Sequence, residues 1–378
     1  VSAPPPAPDR RSGPSADHHR VQRVLLVHEF GGGVGGAERY LETLAAGLRA
    51  DDVDVAALVF ARQPGGGDEL AARLRSADVA TTVHDHRARA RSVRRQVRAH
   101  RPQVLHWTFV DPHAFQGAAL LLLPWGVPSV ITEHLPMLRA GWHRRVTRDL
   151  ANRRLAAAIV VGDAGADEVR RAWPHPPRTV VVPNGVPLAS EARCRATGPA
   201  HDPARLLFVG RLTDQKGVEQ LPGIVAALAA RGIPARLRVV GAGPERAGLE
   251  RLAEQEVPGM VQLLGPGDPG DELAQADVLL VPSRWEGGFP LSAREALAAG
   301  VPAVVSDIPP HHDLGDGGAA VRVVGPGGAG AWAAAVAEVL ADLSAAGQAA
   351  RRLAAASTVE HMVESTRAVY DEAVDRVR

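Results

Sequence analysis

The chain has 378 residues, 46% hydrophobic and 22% charged, with a formal net charge of +1, which fits about two domains of ~150 residues and gives no whole-chain electrostatic case for nucleic acid. Its one cysteine, Cys194, excludes an intrachain disulfide and a cysteine-rich metal site and points to a reducing, cytoplasmic compartment. No apolar run reaches the ~20 residues that a membrane span needs; the richest, 118–130, is broken by Pro124 and Pro128.

Residues 1–20 are rich in proline, serine and charge, lack the apolar stretch of a signal peptide, and read as a disordered arm. From there to residue 184 short apolar runs alternate with amphipathic stretches. Strands are expected at 24–28, 53–60, 103–106, 128–132, 158–161 and 179–182. The stretch 37–49 sets Leu41, Leu44, Ala45 and Leu48 on one helical face. Strands alternating with helices predict a parallel sheet covered on both sides. The polar, weakly periodic segment 185–203 reads as an interdomain linker, entered at the turn dipeptide Asn184-Gly185, which tolerates positive φ. The pattern then restarts over 204–356, with strands expected at 205–209, 236–240, 261–264, 277–281, 302–306 and 320–324. Helices are expected at 217–231 and 291–299. The tail 357–378 opens on a capping box, Ser357-x-x-Glu360. Its stripe of Val359, Met362, Val363, Thr366 and Val369 predicts a helix docked back on the first domain.

Of the 43 basic residues, only Lys216 is lysine, and asparagine occurs only at 152 and 184, as expected under codon bias against both. A lysine that persists in such a chain is a candidate for a site needing a compact ammonium. It lies in Phe208-Val-Gly-Arg-Leu-Thr-Asp-Gln-Lys-Gly217, between a strand and a helix. Gly210 permits a tight turn, Arg211 offers a fork of donors, and a helix starting near Gly217 adds its positive pole. Together these suit a diphosphate. Downstream, Glu286 sits on a glycine-rich loop and Glu295 inside the next helix, and a carboxylate accepts two bonds from vicinal hydroxyls.

These strings resemble the retaining GT-B glycosyltransferases of family 4. The resemblance is carried by GGAERYLETLAAGL (35–48), VVPNGV (181–186), VGRLTDQKG (209–217), VVGAGP (239–244), VQLLG (261–265), ADVLLVPS (276–283) and GFPLSAREALAAGVPAVVSD (288–307). It implies an α/β fold of two Rossmann-like, doubly wound domains facing a cleft. It also implies hexosyl transfer from a nucleoside-diphosphate sugar to an acceptor hydroxyl, with no cofactor. Arg211 and Lys216 would grip the donor diphosphate, Glu295 the ribose and Glu286 the donor sugar, with backbone groups of Phe289 to Leu291 lining the site. Such families place seven residues between the two glutamates. Here the doubled Gly287-Gly288 makes eight, and two glycines can bulge and still present Glu286.

On the first-domain side the loop after residue 28 formally fits a dinucleotide fingerprint at Gly31, Gly33 and Gly36, but the next strand ends without an acidic residue to take a ribose. The resemblance instead turns this loop, with Gly35 and Gly36, toward donor and acceptor. It sets His134 near the reacting centre, beside Glu133. The aromatic stretch 106–115, including Trp107, reads as an acceptor wall or as core. Two arginine runs, Arg87, Arg89, Arg91, Arg94, Arg95, Arg98, Arg101 and Arg144, Arg145, Arg148, Arg153, Arg154, offer either a peripheral contact with anionic lipid or the solvated face of an arginine-biased chain. Asp52-x-Asp54 opens a strand rather than closing one, so no metal site is expected. The acceptor is left unnamed, among secondary metabolites, glycolipids and polysaccharides of a bacterial pathway. An epimerase or phosphorylase on the same architecture, an NAD-dependent oxidoreductase and a catalytically silent partner subunit are the rival readings.

Overall fold

The computed structural model describes residues 20–30, 35–61, 63, 65–85, 89–109, 126–134, 142–190, 194–195, 198–313 and 318–377. The arm at 1–19, Gly31, Gly33, Arg87 and 110–115 of the aromatic stretch lie outside the described residues, as do the side chains of Arg89, Arg144 and Arg145.

In the first domain, β1 (Arg23–Phe30), β2 (Asp54–Ala61), β3 (Ala80–Asp85), β4 (Val104–Phe109), β5 (Ser129–Glu133), β6 (Leu155–Val160) and β7 (Thr179–Val181) pair in parallel in the order β3-β2-β1-β4-β5-β6-β7. The central strands are covered on both faces, which is why they read as unbroken apolar runs; Val24 of β1 lies between Val55 and Val104. Around them lie α1 (Gly36–Ala50), α2 (Asp68–Ser76), α3 (Arg89–His100), α4 (Trp142–Asn152) and α5 (Asp163–Ala172). In α1, Tyr40, Leu41, Leu44, Ala45 and Leu48 are buried, an apolar stripe at helical spacing.

The second domain repeats the plan. β8 (Ala204–Val209), β9 (Ala235–Val240), β10 (Val261–Gly265), β11 (Val278–Val281), β12 (Ala303–Ser306) and β13 (Val321–Val324) pair in parallel in the order β10-β9-β8-β11-β12-β13. Its helices are α6 (Leu221–Ala230), α7 (Arg246–Glu256), α8 (Gly270–Gln275), α9 (Leu291–Ala298), α10 (Gly328–Ala341) and α11 (Leu343–Ala355). In each sheet the winding reverses beside the first strand, between β1 and β4 and between β8 and β11. A crevice opens at the carboxyl ends of the strands there. The final helix, α12 (Val359–Asp375), returns to the first domain, where Met362, Val363, Val369 and Tyr370 join the core. Among the described residues no single helix is long and apolar enough to cross a membrane.

Four expectations need correction. Strand β3 was not expected: its run ATTVHD has one large apolar residue, and the strand is an edge of the sheet. The helix after Lys216 does not start at Gly217. Two single 3-10 turns, Asp214–Lys216 and Val218–Gln220, come first, and Gly217 joins them at φ 61°. A side chain there would meet the Pro282 carbonyl, so only glycine fits. The tail helix is capped by Thr358, whose Oγ1 accepts from the His361 N–H at 3.3 Å, rather than by Ser357. Neither Asn184 nor Gly185 takes a positive φ; the Val186 N–H instead donates to the Ser357 carbonyl at 3.3 Å, tying the linker to the start of α12.

Candidate functional site

The second-domain half of the site forms where β8 and β11 end. Past β8, Gly210 turns the chain with its N–H on the Val240 carbonyl at 3.0 Å, and Arg211 extends into solvent, donating to Gln215 at 3.1 Å. Past β11, the loop 282–290 carries Ser283 and Glu286. Lys216 and Glu286 form an ion pair, with side chains only 17% and 9% exposed. Ser283 Oγ donates to the same carboxylate at 2.7 Å, and Gln215 Nε2 donates to the Trp285 carbonyl at 3.0 Å. The doubled glycine therefore does not carry Glu286 away from Lys216. The helix contribution differs from expectation: Lys216 ends a 3-10 turn, and α6 begins only at Leu221, so no α-helix pole opens at Gly217.

Below this loop lies a second polar group. Ser306 Oγ donates to the Ser283 carbonyl, and the His311 Nδ1–H donates to the Ser306 carbonyl at 2.7 Å. Burial pushes His311 below its ordinary pKa, so its buried Nε2 is a bare acceptor. Phe289 is 2% exposed, its ring edge-on to His311 at 6.1 Å and under the Arg294 guanidinium at 5.5 Å. Its side chain is core, so only its backbone can face a ligand. Leu291 opens α9, whose first N–H groups have no side-chain cap; these are the groups that attract anions at a helix start.

Glu295, on α9, faces the first domain. Arg39 of α1 donates to its Oε1 at 2.8 Å. Burial raises the carboxyl above its ordinary pKa, and Arg39 works against that rise. Gly36, at the start of α1, lies against the Leu291 side chain, so the openings of α1 and α9 meet across the cleft. The Gly35 N–H donates to Glu38 Oε2 at 2.8 Å, folding the first turn of α1 back on itself.

Behind Gly35 and Gly36 runs a buried network. His28 contacts Thr108 Oγ1 at 2.8 Å and Glu38 at 3.4 Å. Burial alone would raise the Glu38 pKa, but the His28 and Gly35 contacts outweigh it and hold it below the usual carboxylate range. The His134 ring stands edge-on to Tyr40 at 4.5 Å. Tyr40 and His106 both hydrogen-bond Thr132, at 3.1 and 2.6 Å, and His106 also bonds Tyr370 of α12. Burial drives His106 and His134 down to about 3 and Tyr40 up to about 12, so all three are neutral at pH 7.

A second bridge joins the domains beside the loop that carries Glu286. Asp313, after β12, accepts from the Ala164 N–H at 3.2 Å and so caps α5 from the opposite domain. Gly162 makes room: a side chain there would collide with the Asp313 carboxylate.

Residues 34–190 match a family model described as Glycosyltransferase Family 4, and residues 203–342 match one described as Glycosyl transferases group 1. Both halves of the chain are therefore similar to glycosyltransferases, the first half to those of family 4. The chain is 39% identical over 135 residues to a GDP-mannose-dependent alpha-(1-6)-phosphatidylinositol dimannoside mannosyltransferase of Mycobacterium tuberculosis, covering 34% of this chain and 35% of that one. It is 35% identical over 237 residues to a D-inositol 3-phosphate glycosyltransferase of Geodermatophilus obscurus, covering 56% and 52%. The matches thus span a third to a half of those relatives. Among solved structures, pneumococcal O-GlcNAc transferase GtfA superposes with TM-score 0.76 at 12% identity over 93% of this chain and 99% of that one. A glycosyltransferase of Rickettsia africae gives 0.75 at 14%, over 93% and 98%. At these identities the likeness is one of fold, the two facing Rossmann-like domains of GT-B.

Two expected acceptor-side residues are placed elsewhere. Trp107 is 1% exposed among Leu25, Val27, Leu58 and Ile131, so it is core and not an acceptor wall. Glu133 is buried in an ion pair with Arg148, the pair having side chains only 4% and 6% exposed. That pairing removes Arg148 from the second arginine run, because burying either charge alone would be costly. Other residues of the site were not singled out in the sequence. Ser283 and Gln215 lie inside strings that carry the resemblance, and Arg39 follows Glu38 in another. His311 and Asp313 leave no sequence signal, since they enter from the end of a neighbouring strand.

Proposed function

We propose that the chain moves a hexosyl group from a nucleoside-diphosphate sugar to an acceptor hydroxyl, with retention at the anomeric carbon and without a metal. The observation that carries the reading is the contact of the sole lysine, Lys216, with Glu286 at the point where the second sheet reverses. The uncapped start of α9 and the exposed Arg211 lie on the same side. The M. tuberculosis relative is described as GDP-mannose-dependent, and GtfA was solved with UDP and GlcNAc, which supports a nucleotide-sugar donor here.

On this reading Arg211, Lys216 and the α9 N–H groups hold the diphosphate and stabilise its charge as the bond from the anomeric carbon to the diphosphate oxygen breaks. Glu295 takes the ribose, and Glu286 the sugar hydroxyls. The acceptor oxygen attacks the same face of the anomeric carbon, and its proton passes to the departing diphosphate. Neutral His134 and the Gly35-Gly36 turn line the acceptor side. The exposed Arg91, Arg94, Arg95 and Arg98 of α3 support a peripheral contact with anionic lipid on the cytoplasmic face, readable by vesicle co-sedimentation. The test of the chemistry is incubation with UDP-, GDP-, ADP- and dTDP-hexoses and alcohol acceptors, reading nucleotide release and product anomer by NMR. An α-linked donor should give an α-linked product. A β-linked product contradicts retention, and no release from any donor contradicts the transferase reading.

A further inference from the structure

The Arg39–Glu295 pair connects groups 256 positions apart, one on α1 of the first domain and one on α9 of the second. Two features set it apart from an ordinary surface ion pair. Glu295 Oε2 is buried and has no hydrogen-bond partner among the described residues, so the oxygen a solute can approach is Oε1, which Arg39 holds. The two partners are also unequally buried: the Arg39 side chain is 38% exposed and the Glu295 side chain 23%. The guanidinium can swing into water at little desolvation cost, whereas the carboxylate is fixed on a helix whose burial already disfavours its charge.

A carboxylate in that position needs a donor on its open oxygen at all times. In the cleft as it stands, Arg39 supplies it. A vicinal diol brings two hydroxyl donors and needs the same oxygen. The two compete for it, because Oε2 is buried and Arg39 already donates to Oε1. We propose that Arg39 is the resident occupant of the ribose carboxylate: it bonds Glu295 across the cleft, and the ribose of an incoming nucleotide replaces it. This rests on the reading of Glu295 as the ribose-binding residue. Arg39 then lowers donor affinity through competition. Its release also breaks one of the two side-chain bridges described between the domains, leaving the Asp313 cap on α5.

Calorimetric titration of UDP and GDP, each beside its 2′,3′-dideoxy counterpart, into wild type and Arg39→Ala at pH 8 tests this. The ribonucleotide that binds wild type should bind Arg39→Ala roughly 3- to 5-fold more tightly, the change expected of a part-exposed ion pair. Its dideoxy counterpart, which cannot engage Glu295, should bind both proteins equally. Thermal melting confirms that the variant is folded. Equal or weaker ribonucleotide binding to Arg39→Ala, with wild type still preferring ribo over dideoxy, overturns the proposal and leaves the ribose reading standing. No preference for ribo over dideoxy in wild type, or no binding at all, overturns the ribose reading and the proposal with it.

Discussion

The two faces of the cleft use similar residue types to opposite ends. On the second-domain face, Arg211 is exposed, Glu295 is part-exposed beside Arg39, and Lys216 and Glu286 pair with each other at the strand ends, where a ligand can compete for them. On the first-domain face, His106, Tyr40, Thr132 and Tyr370 are sunk into the sheet and bonded to one another, His134 stands edge-on to Tyr40, and burial holds both histidines neutral. A polar group whose partners are all internal stiffens a platform. One whose partner is a single mobile side chain is available for binding. The first face should therefore answer to mutation in stability, and the second in affinity.

The sharpest way to break this contrast is His106→Ala. It takes the buried partner from the Tyr370 hydroxyl, leaves Thr132 bonded to Tyr40 alone, and should cost about 2–4 kcal/mol in urea unfolding. Nucleotide affinity of the folded protein should stay within about two-fold; a large loss would mean that the network reaches the ligand. Next comes pH. His106 and His134 titrate near 6.5 when unfolded but at about 3 when folded. Between those values the unfolded chain binds more protons, so stability falls as pH drops through 6.5. From pH 6.5 to 5.5 each histidine should remove about 1 kcal/mol. The variant His134→Asn should flatten the slope by one histidine's share, and an unchanged slope would contradict the buried, neutral assignment. The smallest effect belongs to the bridge between the faces. Asp313→Ala should cost about 1 kcal/mol, as for loss of a helix cap, while Asp313→Asn, which keeps an acceptor for the Ala164 N–H, should recover most of it.

Much of the fold was legible because both faces of the central strands are buried, leaving apolar runs such as VLLV (278–281) bounded by loops. β3 escaped because an edge strand need be apolar on little of its length. The 3-10 turns on either side of Gly217 escaped because Gly217 was read as opening a helix, when its left-handed backbone separates two short turns. In the site, residues on one loop were readable from their spacing, as with Gly210, Arg211 and Lys216. Partners brought by tertiary structure were not. Nothing near Arg39 announces Glu295, and nothing near Gly162 announces Asp313. Trp107 shows the converse: its aromatic, polar neighbourhood in the sequence suggested a binding wall, and the sheet register beside Val27 and Ile131 put it in the core.

The central claim is that the second-domain face seats a nucleoside diphosphate on Lys216. The most direct measurement is calorimetry of UDP, GDP, ADP and dTDP with wild type and Lys216→Ala. The account predicts that at least one nucleotide binds wild type and binds Lys216→Ala 10- to 100-fold more weakly, about 1.5–3 kcal/mol, with the variant still folded. Equal affinity in the two proteins would contradict it.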